Sequence, residues 1–197
     1  MSRLSKLISA GLTLGLGSFL LSAPAAYGQL NSNSATVTLS ATLGESLTVV
    51  AAPTSGSAVN FTLVSGSTAS VNSAVTMTTS WVMKSSRANV TLTGYFATPT
   101  AALTGTGTSP ATIPSSEVLG QVTTGAPTSY TAFTQSPTGT ALGTAGGSLV
   151  LFTQPLSSTN RAASRTDTLG LEINLTSQPQ LPADTYTGTL NIQAQAL

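Results

Sequence analysis

The pattern that most constrains this chain is alternation. Apolar residues recur at every second position in stretch after stretch, the period of a β-strand with one buried face. In ATVTLSATL, residues Ala35, Val37, Leu39, Ala41 and Leu43 alternate with Thr or Ser. Leu47, Val49 and Ala51 continue the odd phase past Gly44-Glu45, and Pro53 and Gly56 then punctuate the run. Val59, Phe61 and Leu63 form a further alternating set. Val75, Met77, Trp81 and Met83 share one face, interrupted by Thr79. Lys84-Ser-Ser-Arg87 reads as a polar turn, with Val90, Leu92, Gly94 and Phe96 as the hairpin partner beyond it. Leu149 to Phe152 is a continuous apolar run suited to a strand buried on both faces, and Leu156 to Asp167 is a polar connection. Leu169, Leu171, Ile173 and Leu175 alternate until Pro179 and Pro182 intervene. Tyr186, Gly188, Leu190, Ile192, Ala194 and Ala196 then line one face of a last strand. The expectation is an all-β protein of seven to nine strands, folded as an antiparallel two-sheet β-sandwich because each one-sided sheet needs a partner. A closed β-barrel is the alternative.

Residues 97–148 break the pattern. They are rich in Thr, Gly, Pro, Ser and Ala, with apolar islands at Val118-Leu119-Val122 and Tyr130–Phe133. Long surface loops with one or two short strands are expected there, the islands docking onto a sheet.

The first 28 residues have the composition of a cleaved secretory signal. Arg3 and Lys6 precede the uncharged run LISAGLTLGLGSFLL, and small residues follow it. Ala23-Pro24-Ala25 and Ala26-Tyr27-Gly28 both fit a small-x-small cleavage site, with a cut after Gly28 favoured. The run falls short of the ~20 apolar residues that span a bilayer and is interrupted by glycines, so cleavage is expected rather than anchoring. No later segment is apolar enough to span as a helix. The chain is therefore expected to be exported, to the periplasm, the exterior or the cell surface, as a single domain of residues 29–197.

Removing Arg3 and Lys6 leaves four basic residues (Lys84, Arg87, Arg161, Arg165) against five acidic ones (Glu45, Glu117, Asp167, Glu172, Asp184), a net charge of −1. No basic patch exists to hold phosphates, which argues against a nucleic-acid partner. The chain has no cysteine and no histidine. The commonest general base and metal ligand is thus absent, and a Ser-His-Asp triad is impossible. No G-x-S-x-G elbow, P-loop, G-x-G-x-x-G or EF-hand loop is present. Asp167 and Glu172 fall on opposite phases of one strand and point to opposite faces. No catalytic, cofactor or metal residues are assigned, and the expectation is a protein that is not an enzyme. Trp81 shares its phase with Val75, Met77 and Met83, so it reads as core rather than as a sugar-stacking platform.

Edge strands invite pairing with other chains, and charges usually blunt them. The segments 35–43 and 185–197 carry no charge at all. Such a segment either completes its own sandwich or is given to a neighbour, held by main-chain hydrogen bonds and alternate side-chain pockets. ATVTLSATLGESLTV resembles the alternating donor segment at the start of CS1-type (class 5) fimbrial subunits. The ending LPADTYTGTLNIQAQAL is similar to that of chaperone–usher pilins and spore-coat-U-like secreted proteins, in which a Tyr-x-Gly turn leads into the last strand. The resemblance is confined to the two termini of residues 29–197. It implies an Ig-like sandwich and a strand-donation interface at Val37, Leu39, Ala41 and Leu43. The functional expectation is a secreted or cell-surface structural subunit, fimbrial or pilin-like, that associates with itself or with partner subunits by β-strand addition. A secreted ligand- or carbohydrate-binding module using the 97–148 loops is the alternative.

Overall fold

The computed structural model describes residues 34–71 and 73–197, in two units, Met1–Ala41 and Thr42–Leu197. The expected export signal, residues 1–28, lies outside the described residues. In the first unit, residues 34–41 form no strand, and their side chains are exposed.

The second unit is all-β and antiparallel. Its strands are β1 (Ser46–Pro53), β2 (Thr68–Ser70), β3 (Val75–Val82), β4 (Asn89–Tyr95), β5 (Leu103–Gly105) and β6 (Thr112–Ile113). They continue with β7 (Val118–Val122), β8 (Thr131–Ala132), β9 (Ser148–Pro155), β10 (Ala162–Asn174), β11 (Tyr186–Thr187) and β12 (Asn191–Ala196). The large sheet runs β1-β3-β10-β7-β8, with β2 covering the part of β10 that β3 leaves free. A second sheet runs β12-β4-β9, and a small third one β11-β5-β6. Among the described residues no sheet closes into a barrel; the sandwich, not the barrel, is the architecture.

Alternation explains the core. The odd positions Val75, Met77 and Trp81 of β3, Leu169, Leu171 and Ile173 of β10, and the even positions Val118 and Val122 of β7 point inward from the large sheet. Val90 and Leu92 of β4 and Leu149, Leu151 and Phe152 of β9 meet them from the other. Trp81 is core, as its phase predicts, and its indole N–H donates to the Asn160 carbonyl at 2.8 Å.

Six sequence expectations are corrected. Leu156 to Asp167 is not all connection, because β10 starts at Ala162. The expected last strand is two, β11 and β12, in different sheets. Residues 35–43 contain no strand; the first strand starts at Ser46. Val59–Leu63 is not a strand either, Phe61 making one isolated bridge to Val71. The segment after Lys84–Arg87 is not the hairpin partner of β3: β4 pairs with β9 and β12, so this turn carries the chain from one sheet to the other. Finally, Leu149–Phe152 is not buried on both faces. The register between β4 and β9 shifts at Leu92/Thr93, leaving Leu151 as the extra residue of a β-bulge. The bulge lets Leu151 and Phe152 both turn inward while Val150 faces out.

The 97–148 segment is more ordered than its composition implies. It carries β5 to β8 and two 3-10 turns, Pro99–Ala101 and Ser115–Glu117. Val118, Val122 and Phe133, all from its apolar islands, are fully or nearly fully buried. Phe133 sits edge-on to Phe96, ring centres 5.3 Å apart at 76°. It occupies a slot made by two glycines: a Cβ on Gly94 would lie 3.0 Å from its ring, and one on Gly120 would lie 3.1 Å from it.

Candidate functional site

The two sheets approach each other on both flanks, at β7–β9 and along the narrow end of β1–β12, and neither contact is a ladder. The seam between β1 and β12 parts only towards the Pro53 end of β1. Each has one paired edge, β1 with β3 and β12 with β4, and no ladder partner on the other among the described residues. The inward phase of β1 records how the seam widens. Leu47 and Val49 are half-buried, whereas Ala51, two residues on, is exposed.

Where the seam widens it forms a groove of about 760 Å³. Its floor is core: Val75, Phe96, Val118 and Ile173 line it, and half-buried Val59, Phe61, Leu190 and Ile192 form the walls. The reason lies in the local sequence. Pro53 and Gly56 end β1, and residues 57–63 run along the gap without forming a ladder, so apolar side chains aim inward with no strand over them. Asp184 stands at this end of the groove. Its carboxylate accepts from Thr106 Oγ1 at 2.9 Å and from the N–H groups of Gly107 and Thr185 at 2.9 and 2.7 Å. Those donors hold its pKa below the usual carboxylate value, Gly107 most of all.

At the narrow end, the chain enters β1 through an ionic clamp. Glu45 accepts from Arg87 Nε at 3.2 Å and from the Lys84 backbone N–H at 3.1 Å, and Lys84 Nζ is 3.4 Å away. The Arg87 bond first, then the Lys84 N–H, lowers the Glu45 pKa. Gly44-Glu45 therefore separates the alternating segment 35–43 from the first strand, a boundary the unbroken odd phase conceals.

Val37, Leu39 and Leu43 are 81%, 90% and 85% exposed, and Ala41 is exposed too. None is in a strand.

The five carboxylates are divided among distinct settings. Asp167 faces the core and is buried, while Glu172, on the opposite phase of β10, faces out. Asp167 is fully engaged: Arg165 donates to it through Nε at 2.6 Å and Nη2 at 2.8 Å, and Thr124 Oγ1 donates at 2.5 Å. Arg165 also donates to the Thr124 carbonyl and stacks 4.6 Å over the Phe152 ring. A shallow depression beside Trp81 is floored by this ion pair, whose Asp167 carboxylate is already committed to Arg165 and Thr124. Among the described residues, no three acidic side chains are grouped to hold a metal ion, and no helix is long and apolar enough to cross a membrane.

Sequence reasoning missed the groove, the Glu45 clamp and the Arg165–Asp167 pair. The last had a signal: Arg165 and Asp167 share the inward phase of Leu169, which places two opposite charges on one buried face. The groove had none, because it is a strand's absence rather than a residue pattern. No family model, curated protein or solved structure matches this chain.

Proposed function

We propose that this is an exported, non-enzymatic structural subunit of the fimbrial or pilin-like kind. It associates by β-strand addition: Val37, Leu39, Ala41 and Leu43 of one copy fill the seam of another. The observation that carries this reading is a match of types. An uncharged, exposed, alternating segment accompanies a sandwich with a groove whose walls are half-buried apolar side chains, with charge only at its margin.

Magnitudes indicate which interactions decide the matter. Burying Val37, Leu39 and Leu43 contributes about 1.5–3 kcal/mol each. Ordering nine backbone residues opposes it by roughly 1–2 kcal/mol apiece. Side chains alone therefore do not hold the segment. The unpaired edges of β1 and β12 must supply a ladder, each hydrogen bond adding about 1 kcal/mol.

Deleting residues 29–43 tests this. The truncated protein is expected to stay monomeric at concentrations where the full chain assembles, and a synthetic 34–44 peptide is expected to bind it and raise its melting temperature. Assembly of the truncated protein to the same extent as the full chain would rule strand addition out.

A further inference from the structure

The nine charged side chains of residues 29–197 are not scattered. Three cations gather where β3 hands over to β4. Lys84 and Arg87 flank that turn, and Arg161 donates through Nη1 to the Lys84 and Arg87 carbonyls, at 2.6 and 3.1 Å. Glu45 is the only acidic side chain there among the described residues, leaving two net positive charges.

The other three free carboxylates lie at the opposite end. Glu172 faces Ser70 and Leu119 across β10, ten residues beyond the Ala162–Val82 pair that marks the cationic end. Glu117 directly precedes β7, whose first residue pairs with Ile173, and accepts from Ser177 Oγ at 2.5 Å. Asp184 lies just before β11, in the same groove as Ile173 and Val118. No cation accompanies them among the described residues, so this end carries three negative charges. The remaining pair, Arg165 and Asp167, is internally neutralised between the two. Along β10, at ~3.3 Å per residue, the ends are roughly 35 Å apart.

We infer that the two ends of the sandwich are complementary docking surfaces for a second copy of this chain, stacked head to tail with Lys84, Arg87 and Arg161 of one facing Glu117, Glu172 and Asp184 of the next. Charge complementarity selects that occupant. In a chain with so few charges, no other surface competes, and head-to-head or tail-to-tail approach sets like charges together. The polarity also agrees with the strand-addition reading, on which the identity of the partner rests. The chain enters β1 at the cationic end, and the groove widens at the anionic one. Exposed charges steer and orient more than they hold, so the effect falls on the direction and salt dependence of assembly.

The test is charge reversal with mixing, read by sedimentation velocity at about 0.01 M ionic strength, where the screening length is ~30 Å. Glu117→Lys with Glu172→Lys makes a chain positive at both ends; Lys84→Glu with Arg87→Glu makes one negative at both. Each alone is expected to associate about tenfold more weakly than the parent, and an equimolar mixture to recover to within about threefold. Parent association is expected to fall about tenfold on raising ionic strength to about 0.15 M, where the screening length is ~8 Å. The inference is overturned if the parent is indifferent to salt or does not associate, if the reversed chains associate like the parent, or if the mixture stays as weak as its components while each remains folded at the temperature of the measurement. Should a reversed chain fail to fold, Lys84→Gln and Glu117→Gln/Glu172→Gln replace them, and association equal to the parent's at low salt overturns it equally. A salt-insensitive parent that still requires residues 29–43 defeats the polarity alone. A salt-sensitive parent that assembles without them defeats strand addition alone.

Discussion

The two flanks of the sandwich are made from the same kinds of residue and end differently. On the β7–β9 flank, Phe133 enters from a Thr/Gly/Pro-rich segment and fills a slot between Gly94 and Gly120, so the sheets close over a fully buried ring. On the β1–β12 flank, no large side chain among the described residues performs that task at the wide end, and Phe61, Leu63, Leu190 and Ile192 remain half-buried. The difference teaches that closure here depends on one large side chain meeting two missing ones. A flank without such a plug leaves apolar neighbours of the core half-buried, and a strand is the natural object to cover them.

The largest effect expected from this contrast is at the plug. Phe133→Ala should destabilise the protein by about 3–5 kcal/mol, since it removes a buried aromatic and leaves a cavity the glycine slot cannot collapse into. Leu63→Ala on the open flank should lose about 1 kcal/mol or less, its side chain being only partly withdrawn from water. Denaturant midpoints of the two variants measure the contrast directly. Equal losses would mean that the open flank is packed as tightly as the closed one, and the comparison would fail.

A smaller effect comes from Thr79, one strand in from the seam. It is fully buried on the inner face of β3, between Met77 and Trp81, and its hydroxyl has no hydrogen-bond partner. Thr79→Val keeps the shape and removes the unsatisfied group, so a gain of about 1–2 kcal/mol is expected. The same variant measures how far the seam's opening reaches. Water entering from the β1 side would satisfy the hydroxyl, and the gain would shrink towards zero, so the midpoint of this variant separates a dry interior from a wet one.

The strands that make the core were legible in the sequence because their alternation is local. Val75 to Trp81 and Leu169 to Ile173 state their inward phase residue by residue, and Thr79 appears in that phase as its single polar interruption. Pairing was not legible. Nothing local distinguishes a turn that folds β4 back on β3 from one that carries it to the opposite sheet, and the bulge at Leu151 appears as an apolar run until its partner strand is known. The site was half legible. The exposed residues 37–43 stood out as an uncharged alternating segment, but their odd phase runs on through Leu47 and Val49, which hides the boundary at Glu45. That boundary depends on Lys84 and Arg87, some forty residues away in the chain, and no sequence periodicity reports it.

The smallest expected effect is at the two carboxylates that mark the seam's ends, Glu45 at the narrow end and Asp184 at the wide one. Both are exposed, and both have folded-state pKa values below their ordinary ones, Glu45 chiefly through Arg87 and Asp184 chiefly through the Gly107 N–H. A depressed pKa contributes stability that is present above the unfolded-state value, about 4 for a carboxylate, and is lost as pH falls through the folded-state value. Arg87→Gln removes the larger cause at Glu45 and leaves Asp184 untouched. The melting temperature of this variant is therefore expected to lie slightly below that of the parent at neutral pH and to converge on it as pH drops below 4, whereas a Thr106→Val variant should converge over the same range through Asp184. A gap for Arg87→Gln that persists undiminished in acid would assign its effect to the bond from Arg87 to the Ala196 carbonyl instead, and the narrow end would then be held by β12 rather than by the root of the N-terminal segment.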